Sequence, residues 1–170
     1  MAGRDSALSS GTVRLRLATL EDEPFLYAVY ASTRAEELAL VDWDDSQKSA
    51  FLQMQFTAQH RYYHEQFADA AFQVIECSGT AVGRLYVARG PTEIRIIDIA
   101  LLAHYRNRGI GSWLIRQLQG EAANMGKRLS IHVERMNPAL QLYTRLGFQL
   151  VADQGVYLLM EWAPVSASAR

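Results

Sequence analysis

The sequence predicts an α/β architecture, a mixed central sheet of about 6–7 strands flanked by about 4 helices. Three observations lead there. Short apolar-alternating runs and longer amphipathic runs follow one another in the order β-α-α-β-β-β-α-β-α-β-β over residues 12–163. The run Ile94-Arg95-Ile96-Ile97-Asp98-Ile99-Ala100-Leu101 is apolar on both faces apart from Arg95 and Asp98, as a strand in the middle of a sheet requires. That strand leads into Gly109-Ile110-Gly111, where two glycines one residue apart precede an amphipathic helical pattern.

Taken in order, residues 1–11 are small and polar and read as a flexible tail, as do residues 164–170. Val13, Leu15 and Leu17 alternate with polar neighbours, a half-buried strand. Thr19 followed by Asp22 resembles a capping box for a helix through about Ala31. The stretch Thr33 to Asp45 has no period. Ser46 is then placed to cap a long helix with Phe51, Leu52, Met54, Phe56, Tyr63 and Phe67 on one broad face.

Ala71–Cys77 and Ala81–Arg89 read as strands joined at Ser78-Gly79-Thr80. Gly90-Pro91-Thr92 breaks the chain before the central strand. The helix after Gly109 repeats Leu114, Leu118, Ala122 and Met125, and Gly126 suits its end. Leu129, Ile131 and Val133 share one face of the next strand, with Ser130, His132 and Glu134 on the other. Pro138 suits the first turn of a short helix closed by Gly147, and two strands around Gln154-Gly155 end the domain at residue 163.

A chain of 170 residues that is 49% hydrophobic fits one globular domain with a sizeable core. A net charge of −1 excludes the basic balance of a nucleic-acid or anionic-membrane binder. Cys77 is the single cysteine, so there is no internal disulfide; it reads as a small buried hydrophobe. No run is long enough to span a bilayer, and no signal-peptide pattern opens the sequence, so the expectation is a soluble cytoplasmic protein without a metal.

The chemistry concentrates at Tyr105-Arg106-Asn107-Arg108-Gly109-Ile110-Gly111-Ser112. A helix beginning there leaves its first N–H groups without partners and adds the positive end of its dipole. Glycines let a ligand approach the backbone, and the combination suits a pyrophosphate. The dinucleotide fingerprint would need a glycine where Leu114 stands, and the phosphate loop of nucleotide hydrolases needs Gly-Lys-Ser/Thr where Gly111 is followed by Ser112-Trp113. Neither fits.

The pattern that fits is Arg/Gln-x-x-Gly-x-Gly/Ala, filled by Arg106, Gly109 and Gly111, with Ile99-Ala100-Leu101 upstream. It resembles the acetyl-coenzyme A (acetyl-CoA) signature of the GNAT superfamily of N-acetyltransferases. A second block, Asn137-Pro138-Ala139, then Leu142-Tyr143, then Leu146-Gly147-Phe148, is similar to that family's Asn-x-x-Ala-x-x-x-Tyr-x-x-x-Gly-Phe. The resemblance is close over residues 82–161 and implies the GNAT fold.

It further implies an enzyme that moves an acetyl group from acetyl-CoA to a primary amine by direct attack in a ternary complex. The alternative is a non-catalytic acyl-CoA sensor. By resemblance the amides of Asn107, Arg108, Gly109, Ile110, Gly111 and Ser112 bind the pyrophosphate. The backbone of Ile99, Ala100 and Leu101 pairs with the pantetheine arm as an added strand does. Arg106 either adds charge near a phosphate or is a solvated loop arginine. Asn137 hydrogen-bonds the arm or caps the helix before Pro138, roles that are compatible.

Transfer from a thioester to an amine needs a neutral amine, a donor for the oxyanion and a proton for the departing thiolate. An alkyl ammonium titrates near 10.4, so about one molecule in a thousand is ready at neutral pH and a base matters. By resemblance Tyr143 is the general acid and also contacts the cofactor. For the base, His132 stands five positions before Asn137, where relatives acting on protein N-termini carry a carboxylate; its ordinary pKa of about 6.5 suits the task. Glu134 shares its face. Other family branches use a glutamate on the central strand, where this chain has Arg95; Asp98 is the remaining acid there and the second candidate base.

For the acceptor, Asp42, Trp43, Asp44 and Asp45 offer negative charge and a cation–π face, or form a solvated loop before a helix. A small-molecule amine and a peptide or protein amine both remain open. Homodimers are common in the family, and no segment marks an interface.

Overall fold

The structure, a computed structural model, describes residues 12–166, so the tail expected at residues 1–11, and residues 167–170 of the tail expected at 164–170, lie outside the described residues. Seven strands form one mixed sheet in the order β1-β2-β3-β4-β5-β7-β6, with four α-helices. The chain groups into two compact units. One holds residues 12–86 with Asp98–Arg108, the other Val87–Ile97 with 109–166.

In the first unit β1 (Val13–Leu17) pairs antiparallel with β2 (Ala71–Cys77), from Val13 opposite Cys77 to Leu17 opposite Gln73. The capping box expected at Thr19 forms, on a 3-10 turn, Leu20–Asp22, that leads into α1 (Glu23–Ala39). Helix α1 runs eight residues past the expected end at Ala31, through the segment without a period. Two features allow it. Ser32 and Thr33 turn their hydroxyls onto the carbonyls of Val29 and Tyr30, and the next residues include the strong helix formers Ala35, Glu36, Glu37 and Leu38.

Helix α2 (Asp45–Gln66) starts two residues earlier than a Ser46 cap would give. Asp44 is the cap: its Oδ1 accepts from the Gln47 N–H at 2.8 Å, and Gln47 Oε1 accepts from the Asp44 N–H at 3.0 Å. The broad apolar face expected on α2 is narrower in fact. Leu52 and Phe56 are buried with Leu26, Tyr30, Leu38 and Val74, while Met54 faces solvent. Trp43 rests edge-on against Phe51 at 5.3 Å. Cys77, at the end of β2, is half-buried with a free thiol.

Strands β3 (Thr80–Arg89) and β4 (Glu93–Leu101) supply residues to both units, and β4 is the fourth of the seven strands, as its sequence requires. In the second unit α3 (Ile110–Met125) buries Ile110, Leu114, Ile115, Leu118 and Ala122. It ends on Gly126 in the left-handed conformation, φ +62°, whose N–H bonds back to Ala122 and Ala123. Strand β5 (Arg128–Glu134) runs parallel to β4 from Glu93 opposite Arg128 to Ile96 opposite Ile131; both strands continue beyond that register. Helix α4 (Leu140–Arg145) and the antiparallel strands β6 (Gln149–Asp153) and β7 (Tyr157–Trp162) complete it, with β7 paired to β5. No helix among the described residues is long and apolar enough to cross a membrane.

Candidate functional site

After β4 the chain makes a 3-10 turn, Ala103–Tyr105, and enters the glycine-bearing loop. Asn107 and Gly109 both adopt left-handed backbone, φ +59° and +84°. Asn is among the few side chains that tolerate that region, and Gly109 enters it without steric cost. The first bond of α3 runs from the Trp113 N–H to the Gly109 carbonyl at 3.0 Å. The N–H groups of Ile110, Gly111 and Ser112 therefore lie in the first turn, with no intrahelical acceptor and at the positive end of the dipole. Gly111 has no left-handed φ, and a Cβ there would meet only Leu142 Cδ2, at 4.0 Å. Neither its backbone nor its neighbours demand a glycine; its missing side chain leaves bare backbone at the helix start. A pyrophosphate fits such a cradle.

Arg106 is neither solvated nor turned wholly to a ligand. Its Nε donates to the Leu101 carbonyl at 2.9 Å and its Nη2 to Ser32 Oγ of α1 at 3.2 Å. The guanidinium thus ties the loop to the end of β4. At the same strand end the Leu102 N–H bonds the Val82 carbonyl, and Gly83 lies so close to β4 that a Cβ would stand 2.3 Å from the Ala100 carbonyl oxygen. Ile99, Ala100 and Leu101 are half-buried.

Asp98 belongs to a buried polar cluster of the first unit. Its Oδ2 accepts from Arg84 Nη2 at 2.8 Å and from the Tyr63 hydroxyl at 3.3 Å, and the same Nη2 reaches Gln59 Oε1 at 2.9 Å. Arg84 is 2% exposed, and its guanidinium carbon stands 5.1 Å from the Tyr86 ring centre. Burial pushes the Tyr86 phenol above its ordinary pKa. Sequence reasoning identified Asp98 and missed Arg84. The available signal was an arginine inside the apolar run Val82 to Val87, with Asp98 the one acid inside the apolar run Ile94 to Leu101 of the following strand.

In the second unit, Ser130, His132 and Glu134 share a face of β5 as the alternation predicts. Ser130 Oγ donates to Glu93 Oε2 at 3.2 Å. Arg95 Nη2 lies 2.8 Å from His132 Nδ1. Desolvation first, and the Arg95 charge second, hold the His132 imidazolium below its ordinary pKa, with Glu93 opposing them weakly. Arg95 is thus the direct partner of the histidine.

Asn137 acts as a cap one turn ahead of α4: its Oδ1 accepts from the Ala139 N–H at 2.9 Å and its carbonyl from the Leu140 N–H at 3.1 Å. Pro138 lies in that turn and not in the helix. Tyr143, 4% exposed, sits edge-on to Phe148, ring centres 5.7 Å apart. Its carbonyl accepts from the Phe148 N–H at 3.0 Å, after a left-handed Gly147 at φ +91°.

The sequence profile of the acetyltransferase (GNAT) family matches residues 34–148, more than half of the chain. The chain belongs to that family. It is an acetyltransferase by membership, and its seven-stranded mixed sheet with four helices is the GNAT fold.

Solved structures of the same fold include the PaiA N-acetyltransferase of Thermoplasma acidophilum in complex with coenzyme A. It is 16% identical, with a TM-score of 0.68 over 90% of this chain and 99% of that one. An acetyltransferase of Thermus thermophilus is 17% identical, with a TM-score of 0.66 over 90% and 97% of the two chains. YncA of Salmonella typhimurium, solved with acetyl-CoA, is 19% identical, with a TM-score of 0.56 over 93% and 97%. Comparison with curated protein sequences found no match.

Proposed function

We propose that this GNAT acetyltransferase transfers the acetyl group of acetyl-CoA directly to a primary amine, on a small molecule or a peptide. The observation that carries the reading is the loop from Arg106 to Ser112. Its two left-handed residues and the unbonded first turn of α3 present backbone donors to a pyrophosphate. The neighbours solved with coenzyme A or acetyl-CoA support the same ligand. In this reading the edge of Ile99–Leu101 pairs with the pantetheine amides, and Asn137 adds its side-chain NH2, since its Oδ1 serves as a cap.

The amine nitrogen attacks the thioester carbonyl carbon, a C–N bond forms, and the C–S bond breaks. The amine sheds a proton and the sulfur takes one. Tyr143 supplies the latter from its phenol. A phenol near 10 and a thiol near 8.5 make full transfer uphill by roughly 2 kcal/mol in water, so the proton is shared in the transition state. Asp98 is the carboxylate proposed to receive the amine proton, through a water.

The test pairs binding with turnover. Titration with acetyl-CoA, coenzyme A and NADH should give micromolar binding of the first two only. Thiol release should then appear with at least one of benzylamine, spermidine, lysinamide or a short peptide with a free N-terminus. Binding without thiol release from any of these, together with no effect of Tyr143→Phe on any readout, would make the protein an acyl-CoA sensor. No coenzyme A binding would overturn the reading.

A further inference from the structure

The Arg95–His132 contact decides what the histidine can do. A guanidinium carries only donors, so an Nη2 at 2.8 Å from Nδ1 requires Nδ1 to be the acceptor. The neutral ring then carries its proton on Nε2. A second proton would have to enter at Nδ1, facing a fixed cation, after the Arg95 bond had broken. The ring has no free lone pair with which to take a proton from an amine. It has instead one directed donor, Nε2–H, which finds no acceptor among the described residues on a half-buried side chain.

We propose that Arg95 is a positioning residue that locks His132 in the Nε2–H tautomer, and that His132 serves acyl transfer as a hydrogen-bond donor to a substrate oxygen. The inference rests on the acyl-transfer reading above. The oxygen is either the thioester carbonyl, whose negative charge grows as the amine adds, or a polar oxygen of the acceptor. A neutral donor already in place stabilises either without any proton leaving the ring. The surroundings are mixed in charge. Glu93 on β4 raises the histidine's proton affinity slightly, Ser130 and Glu134 share its face of β5, and Leu159 stands opposite it on β7, flanked on that strand's face by Tyr157 and Glu161. None of these supplies the contact at Nδ1; Arg95 does.

The tautomer is read directly from long-range proton–nitrogen spectra of the full chain labelled at its 4 histidines, with His132 assigned by His132→Gln. The expected result is a single Nε2–H form that remains neutral at pH values where an exposed histidine titrates. In Arg95→Met the ring should regain both tautomers and titrate nearer 6.5. A proton on Nδ1 in the wild type, or titration unchanged in Arg95→Met, would overturn the proposal.

Activity separates donor from base. Glutamine places an N–H close to the imidazole Nε2–H and cannot accept a proton there. His132→Ala should lower kcat/KM about 100-fold, in the range found for removing one such donor, and His132→Gln should restore most of it. A loss confined to kcat assigns the thioester carbonyl; a rise in acceptor KM assigns the acceptor oxygen. Glutamine as poor as alanine, with the acidic limb of the pH profile abolished in both, would return His132 to the role of base. Failure of acetyl-CoA to bind at all would remove the catalytic half of the proposal and leave the tautomer measurement standing.

Discussion

Arg84 and Asp98 form an ion pair inside the first unit, Nη2 to Oδ2 at 2.8 Å, with side chains 3% and 15% exposed. Tyr63 and Gln59, one turn apart on α2, bond to the same two groups, so the pair links α2 to adjacent strands of the sheet. Replacing one member strands the other charge in a place with little water. Asp98→Asn is therefore expected to cost about 3–5 kcal/mol of stability. Arg84→Met with Asp98→Leu should recover much of that loss. Chemical denaturation of the three proteins measures it, and thiol release from the double variant separates a role of Asp98 in proton transfer from its role in holding α2.

Tyr143→Phe keeps the ring that packs against Phe148 and removes only the hydroxyl. The expected outcome is a kcat lower by about 100-fold or more, with acetyl-CoA affinity nearly unchanged. An equal loss of affinity would mean that the hydroxyl serves binding instead.

The tie made by Arg106 predicts an unusual salt response. Arg106→Met removes two bonds of about 1 kcal/mol each and should weaken acetyl-CoA binding roughly tenfold by loosening the loop. Since the guanidinium works through Leu101 and Ser32, the dependence of the dissociation constant on ionic strength should stay the same. A flatter salt dependence in the variant would show that Arg106 also meets a phosphate.

Gly83→Ala tests the approach of β3 to β4. The new methyl would stand 2.3 Å from the Ala100 carbonyl oxygen and 2.8 Å from Leu101 Cδ2, so backbone must move. A loss of about 1–3 kcal/mol of stability is expected. Acetyl-CoA affinity should fall with it, because the displaced residues are those proposed to pair with the pantetheine arm.

Asp22 gives a pH-dependent stability term. The Arg16 guanidinium, then the Thr19 N–H, hold its carboxyl well below the usual carboxylate range. A depressed native pKa stabilises the fold above the unfolded value of about 3.9 and loses that contribution as pH falls through the native value. Asp22→Asn should cost about 0.5–1 kcal/mol at pH 7, the worth of a partly exposed ion pair. The gap to wild type should narrow steadily below pH of about 4, as denaturation at a series of pH values would record.

Much of this was legible in the sequence because the signals are local. The alternation of Leu129, Ile131 and Val133, the two-sided apolar run of β4 and the glycines at 109 and 111 each depend on neighbours a few residues away. The continuation of α1 past Ala31 was not, because there the helix rests on the propensity of Ala35, Glu36, Glu37 and Leu38 and not on an apolar period. Nor was the cap at Asp44, chosen over Ser46 by the reciprocal bond from Gln47. The site diverged most where partners lie far apart in the chain. Arg84 and Asp98 are 14 residues apart, Arg95 and His132 are 37, and Arg106 and Ser32 are 74. No periodicity reports such pairs.

The two left-handed residues of the loop bear on what lengths the chain tolerates. Asn107 and Gly109 are separated only by Arg108 and followed at once by Ile110, the first helical residue. An insertion or deletion of one residue there would shift a left-handed position onto Arg108 or Ile110, and a β-branched side chain is among the poorest occupants of that region. The turn at Gln154-Gly155 has exposed neighbours and open space around its glycine, and extra residues can be absorbed there. Between Arg106 and Ile110 the number of residues is as much a determinant of the loop proposed to hold the pyrophosphate as their identities.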